Sequence, residues 1–268
     1  MKGSQRQYRV PAAESLLSIL TVLAEDQAEQ SLASLTKRLP ISKNMAFRIV
    51  HLLEHRGFLE RGSQVGSYRA GPGFFRLAAH LDGRQSLVER ARPHLQWLSR
   101  ETDDTASLQC PDGDRVVVKA VELPASAYAF HLAVGARLLY VCNAMGKCIL
   151  AHLDPARIRG LLPEGEAVPL PRGSRPRAEL MAELELVRQT DLGHDREEYL
   201  AGVVCIATPV RDACGRVIGG VGITSLCARP ESLPDHEKAR LVIETGRRIS
   251  ASLGFIPPTT PGVAPCTP

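Results

Sequence analysis

The sequence predicts an α+β chain in two parts: a small N-terminal winged helix-turn-helix and, after a linker helix, a larger domain on an antiparallel sheet. Three observations predict it. Residues 12–57 carry three short apolar stripes at helical spacing, separated by polar breaks and a proline. From Phe58 to Ala70 the period changes from helical to extended. Beyond Thr105, alternating segments in pairs around glycine turns are interleaved with helical ones, the pattern of helices laid on an antiparallel sheet. A length of 268 residues suits two domains better than one.

Each element has its own reason. Over 12–24, Leu16, Leu17, Ile19, Leu20 and Leu23 recur at helical spacing, and Glu25-Asp26 breaks the run. Ser31 is placed to cap a second helix, Leu32–Leu39, with Leu32, Leu35 and Leu39 on one face and Pro40 as its stop. Ser42 caps a third, Lys43–Arg56, with Ala46, Ile49, Val50 and Leu53 as its buried stripe and Gly57 at its end. Phe58–Arg61 and Ser67–Ala70 flank the polar turn Gly62–Gly66 as a two-stranded hairpin. Three helices followed by such a ribbon make a winged helix. Phe74, Phe75, Leu77, Ala78 and Leu81 then give a short helix an apolar face but no core of its own, so it is expected to pack on a partner. The next helix, 84–101, carries Leu87, Ala91, Leu95 and Leu98, with Pro93 kinking it or moving its start. Ala106–Gln109 and Arg115–Val121 flank the turn Pro111–Asp114; Val204–Arg211 and Arg216–Thr224 flank Asp212–Gly215. Helices are expected at 144–153, 155–161, 177–190 and 234–253. The expected organisation is therefore 1–72 winged helix, 73–83 linker helix, 84–256 larger domain, and 257–268 a disordered tail.

Aromatics make up only 4% of the chain, so its cores must be built from Leu, Val, Ile and Ala. No run approaches the roughly 20 apolar residues that a membrane helix needs, and MKGSQRQYRVPAAES lacks the apolar stretch of a secretory signal. The expected location is the cytoplasm, with no membrane as partner. Cysteines at 110, 142, 148, 205, 214, 227 and 266 include no C-x-x-C pair, so neither a zinc site nor a disulfide framework is expected. The net charge of +4 is unevenly placed: residues 1–80 hold 11 Lys and Arg against 6 Asp and Glu, and the remainder 22 against 23. A basic first third suits a domain that meets a polyphosphate, joined to one that does not.

In a helix-turn-helix the second helix of the pair enters the major groove, about 12 Å wide, and turns its N-terminal residues to base edges. Here those residues are Lys43, Asn44, Met45, Phe47 and Arg48. Asn pairs bidentately with adenine and Arg with guanine, while Met45 or Phe47 meets a thymine methyl and Lys43 lies at a phosphate-friendly helix start. Arg61 and Arg69 on the wing arms are the further expected phosphate contacts. Two plainer readings stay open: Phe47 equally fits a core, and Arg48 a neighbouring carboxylate. The implied partner is double-stranded DNA. A winged helix serving protein contact alone is the rival, and the salt dependence of binding separates the two.

The stretch LASLTKRLPISKNMAFRIVHLLEHRGFLERGSQVGSYRAGPGFFRLA resembles the winged-helix domain of the IclR family of bacterial regulators. NAMGKCILAHL at 143–153 and DREEYLAGVVCIATPVRDACGRVIGGVGI at 195–223 resemble that family's effector-domain motifs, in the same order. The resemblance implies a larger domain related to the GAF fold, self-association as a dimer or dimer of dimers, and operator DNA as partner. It further implies a small-molecule effector, often an organic acid, that alters DNA binding. Carried over residue by residue, it puts Ala144 and Met145 at a helix start whose backbone amides face the effector. Asp195 takes the place of an acidic pocket residue and Cys205 that of a strand cysteine. Gly222 and Thr224 take the places of two serines that hold a ligand carboxylate in some members. Gly222 has no hydroxyl and Thr224 adds a methyl, so the implied effector is less polar or differently shaped than glyoxylate.

On the residues alone, Cys205 among Val203, Val204 and Ile206 reads equally as a small core hydrophobe or a pocket contact. Asp195, Glu197 and Glu198 fit a solvated loop, with Asp195 the exception. An enzyme with a GAF-like pocket, using Cys205 with His194 and Asp195 as base and orienter, is the alternative function. No G-x-S-x-G, Walker or Rossmann glycine pattern supports it; the glycines at 219, 220 and 222 lie along a strand. No catalytic residue and no cofactor is assigned. Nor is a metal, since His194 beside Asp195 lacks a second spaced ligand pair.

Overall fold

The structure, a computed structural model, describes residues 10–25, 29–82, 86–162, 165–229 and 232–257; for residues 24, 25 and 78–82 it describes the backbone. The expected tail from 258 onward, Cys266, and the side chains of Ala78 and Leu81 lie outside the described residues. The chain divides into two compact units, with the boundary between residues 84 and 85.

The first unit opens with α1 (Pro11–Glu25), whose Ile19, Val22 and Leu23 turn inward. A two-residue strand, β1 (Gln30–Ser31), leads into α2 (Leu32–Arg38), where the Ser31 hydroxyl accepts the Ser34 N–H at 3.1 Å. Helix α3 (Lys43–His55) is capped in the same way by Ser42, which accepts the Met45 N–H at 3.2 Å. Its Ala46, Ile49, Val50 and Leu53 are buried, the stripe that a 3.6-residue period predicts. Gly57, at φ +72, adopts the left-handed conformation that ends the helix and turns the chain into β2 (Leu59–Arg61). β3 (Ser67–Ala70) returns antiparallel to it. The expected two-stranded ribbon has a third strand, because β1 pairs with the other edge of β3, Gln30 opposite Tyr68 and Ser31 opposite Ser67. Helix α4 (Pro72–Asp82) is tied to this unit: the Gly73 N–H donates to the Gly57 carbonyl at 2.7 Å, and Phe74 meets Phe58 edge-on at 5.3 Å.

The second unit begins with α5 (Leu87–Thr102). A capping box between Ser86 and Glu89 sets its start at Leu87 rather than at 84, and Pro93 sits on its exposed side. Then follow β4 (Thr105–Asp112), β5 (Arg115–Glu122), β6 (Arg137–Leu138), α6 (Ala144–Leu150) and α7 (Pro155–Leu161). A small hairpin of β7 (Ala167–Leu170) and β8 (Gly173–Pro176) precedes α8 (Arg177–Thr190). The chain closes with β9 (Gly193–Arg196), β10 (Val203–Arg211), β11 (Val217–Leu226) and α9 (Asp235–Ser252). Six strands form one antiparallel sheet in the order β6-β5-β4-β11-β10-β9.

Alternation along the strands sends side chains to two cores. Leu108, Ile206, Val210, Val221 and Ile223 pack with α5 and α9 on one face. Val203, Cys205 and Ala207 pack with α6 and α8 on the other. Helix α6 lies so close that a Cβ on Gly220 would stand 2.9 Å from the Met145 carbonyl oxygen, which gives β11 a packing reason for glycine there. Strands β6, β7, β8 and β9 are not anticipated by the alternating pattern. Each has at most four residues and is defined by the partner it meets.

Candidate nucleic-acid interface and buried sheet site

Helix α3 divides by exposure. Lys43, Asn44, Phe47 and Arg48 are exposed on the side away from the buried stripe, and neither Lys43 nor Arg48 has an ion-pair partner among the described residues. Phe47 is 52% exposed, which removes the core reading, and its ring stands edge-on to His51 at 4.3 Å. Met45 goes the other way. It is half-buried against the first unit's core and so does not belong with the presented set. A groove of about 340 Å3 between α2 and α3 is lined by Leu32, Ala33, Thr36, Lys43, Asn44 and Phe47.

The wing arginines are partnered. Arg61 pairs with Glu54 at 2.6 Å and lies over the Tyr68 ring, 4.9 Å from its centroid; Arg69 pairs with Glu60 at 2.7 Å. Both guanidiniums therefore share their charge with a carboxylate before any phosphate arrives. Glu29, which no pattern singled out, reaches the wing turn. It accepts the Ser67 hydroxyl at 2.5 Å, the Ser63 N–H at 2.6 Å and the Gln64 N–H at 3.3 Å. Those bonds, that from Ser67 foremost, hold its carboxyl down to about 2.

In the second unit, Asp195 lies within β9 at 2% exposure. Register sets it opposite Cys205, Cys205 opposite Thr224, and Thr224 opposite Thr105, one row across four strands facing α6. Cys205 Sγ and Thr224 Oγ1 are 3.4 Å apart. The adjacent row is Gly193, Ala207, Gly222 and Ser107. Ala144 and Met145 open α6 above the sheet and are buried. All six residues expected around an effector thus share one face of the sheet. The loop between β5 and β6 closes it at one end, where the Phe130 N–H donates to Thr105 Oγ1 at 3.1 Å.

Two expectations about this face need correction. The Met145 amide is already taken: it donates to Asn143 Oδ1 at 3.2 Å, and Asn143 donates in turn to Gln109 at 2.5 Å. Gly222 is no emptied serine position either, since a Cβ there would run into the Ile206 carbonyl oxygen. His194, the neighbour of Asp195, pairs with Ile206 and faces the α9 side, so it cannot serve a Cys205 that faces α6.

Charge on this face is unusual. Burial pushes the Asp195 carboxyl up to about 6, although it accepts the Glu198 N–H at 2.8 Å. Burial likewise pushes the Cys205 thiol up to about 12, which leaves it protonated and unreactive at neutral pH. Lys147, on α6, is fully buried and donates to Glu198 at 2.6 Å and Glu183 at 2.9 Å. Arg175 joins Glu183 at 2.6 Å and stands 3.6 Å from Glu198. These four groups balance in formal charge; Asp195 adds one more negative charge beside them. No local pattern announces the cluster, because its members come from separate elements brought together by the fold. Glu198, expected in solvent, is largely buried within it. Ser107, also unforeseen, is fully buried, and its hydroxyl has no hydrogen-bond partner among the described residues.

A unit that presents an exposed basic helix end beside a wing, with a sheet unit that encloses a polar site, defines a transcription regulator with a sensory domain. Residues 12–63 match the IclR helix-turn-helix domain, and residues 80–251 match the bacterial transcriptional regulator IclR C-terminal domain. The chain belongs to the IclR family. It is 29% identical over 253 residues to the HTH-type transcriptional regulator BhcR of Paracoccus denitrificans, covering 92% of this chain and 89% of that protein. It is 32% identical over 193 residues to the HTH-type transcriptional regulator Rv1719 of Mycobacterium tuberculosis, covering 72% and 74%. The crystal structure of an IclR transcriptional regulator from Silicibacter sp. TM1040 has the same fold, with a TM-score of 0.75 at 23% identity over 93% of this chain and 98% of that one. The protein is a DNA-binding regulator with an effector-binding C-terminal domain, and the enzyme alternative built on Cys205 falls.

Proposed function

We propose that this regulator binds a roughly palindromic operator in cytoplasmic DNA as a dimer or dimer of dimers, and that a small organic acid held between α6 and the sheet alters that binding. The observation that carries the DNA half is the division of α3: Lys43, Asn44, Phe47 and Arg48 exposed, Ala46, Ile49, Val50 and Leu53 buried. Asn44 and Arg48 are the base readers and Phe47 the apolar contact, with Lys43 at a phosphate. Arg61 and Arg69 are secondary, since each must share or leave its carboxylate. Footprinting on a selected duplex tests this. Asn44→Ala and Arg48→Ala should each cost about 1–3 kcal/mol of operator affinity and relax specificity at one base position. Equal affinity for every duplex, in wild type and variants alike, would defeat it.

Self-association is supported by α4, where Phe75 is 75% and Leu77 51% exposed. Phe74 is spent on Phe58, so the pairing face is better tested at the other two. Phe75→Asp with Leu77→Asp should yield monomers that bind half-sites without cooperativity; intact dimers in sedimentation would contradict it. The effector site is supported by the shared face of Asp195, Cys205, Thr224, Ala144 and Met145, and by the buried Ser107 hydroxyl, which has no hydrogen-bond partner among the described residues. Gly222 supplies only backbone there. All of these side chains are at most 9% exposed, so a ligand held among them would be enclosed. It can bias DNA binding only as far as its affinity differs between the two states.

A further inference from the structure

We propose that Glu29 is the positioning residue of the wing: from the far side of the three-stranded sheet, its carboxylate bridges the donors of the turn Gly62–Ser67 and holds the tip in the shape that docks on duplex DNA. The proposal rests on the reading that this unit meets DNA through helix and wing.

The tip has little else to fix it. Ser63, Gln64, Val65 and Gly66 are all exposed, with Val65 extended wholly into solvent, so no apolar contact anchors the turn. Its backbone is closed by Gly62 N–H to the Ser67 carbonyl at 2.9 Å and Ser67 N–H to the Gln64 carbonyl at 3.0 Å. The Ser63 amide donates to Glu29, the Gln64 amide is shared between Glu29 and the Ser67 hydroxyl at 3.3 Å each, and the Ser67 hydroxyl, 2.8 Å from the Gln64 carbonyl, comes closest to Glu29 at 2.5 Å. Hydrogen bonds to an ionised acceptor are the strong class. β1 explains how Glu29 gets there. With Gln30 opposite Tyr68 and Ser31 opposite Ser67, the antiparallel register runs Glu29 alongside β3 one step beyond Tyr68, and its side chain reaches back to Ser67 and the turn. Gly62 completes the fit: a Cβ at that position would fall on the Ser67 hydroxyl and the Glu29 carboxylate, so the residue must be glycine for the acid to lie where it does. Because the Glu29 carboxyl sits near 2, well below its ordinary 4.5, the clasp is whole above about pH 4.5 and is lost only as pH falls toward 2.

The sign of the effect separates this role from a merely electrostatic one. Removing a negative charge from a DNA-binding surface should tighten binding. Removing the clasp should weaken it, because only a fraction of molecules then carry the docked wing shape. The test uses the full chain and a duplex selected from random sequence by the wild-type protein. Glu29→Gln should bind that duplex about tenfold more weakly, and amide exchange at Ser63 and Gln64 should quicken while that of α3 stays slow. Gly62→Ala, which displaces the carboxylate without changing charge, should do the same. Glu29→Gln binding as tightly as wild type or more tightly, with the Ser63 and Gln64 amides still protected, overturns the proposal. If instead the wild-type protein selects no duplex at all, it is the DNA reading that fails.

Discussion

Lys147 is fully buried, so its ammonium is removed from bulk solvent and depends on Glu183 and Glu198 being where they are. Removing one member of such a buried cluster strands the rest, typically at about 3–5 kcal/mol. Lys147→Met should therefore lower the stability of the second unit by that amount, measured by denaturant unfolding. Adding Glu198→Gln, which leaves Glu183 paired with Arg175, should recover most of it; a double variant no better than the single would show that the charges are not what matters. Asp195 is the opposite case. Its carboxyl titrates near 6 in the fold and near 3.8 as a free group, so the native state binds a proton that the unfolded chain has already lost. The cost of the buried charge grows from about pH 4 to pH 6 and is fully felt above it. Asp195→Asn should raise the melting temperature at pH 7.5, with the gain shrinking to nothing below about pH 4. A gain independent of pH would mean that packing, and not ionisation, sets the effect.

The helices were legible because each repeats one rule over ten residues or so and announces its ends. Ser31, Ser42 and Gly57 do in the structure what those residue types predict, capping two helices and stopping one. Ser42→Ala should accordingly cost the first unit about 1 kcal/mol, visible as a lower melting temperature for that unit with the second unchanged. The short strands were not legible. Gln30–Ser31, Arg137–Leu138 and Gly193–Arg196 are too brief for a period of two to show, and each is defined by the strand it pairs with, distant in the chain for the first and the neighbouring strand for the other two. That same blindness hid Glu29 and misread the surroundings of Asp195. Residues singled out by type and position fared unevenly for a related reason. Phe47 and Met45 are two apart on one helix, and only packing decides that Met45 turns in and Phe47 out.

For the molecule as a whole, the uneven charge along the chain has a measurable consequence. The positive excess lies in the first unit, where Lys43 and Arg48 stand unpaired among the described residues while Arg61 and Arg69 are internally paired. Each phosphate contact made on binding releases condensed counterions and contributes about 0.9 to the slope of log affinity against log salt. If four or so phosphates are met by each half of a dimer, the slope should be steep, on the order of −7. Lys43→Ala in both halves should flatten it by about two, one for each copy, while weakening all duplex sequences alike. Asn44→Ala should leave the slope unchanged and weaken selected duplexes more than random ones, because a base contact releases no counterion. Arg61→Ala is the discriminating case. A guanidinium that stays with Glu54 contributes nothing to the slope, whereas one that swings to a phosphate contributes as Lys43 does. The ion pair at 2.6 Å argues for the first outcome, with the slope of Arg61→Ala matching wild type. A slope flattened as far as that of Lys43→Ala would show that DNA takes Arg61 away from its carboxylate.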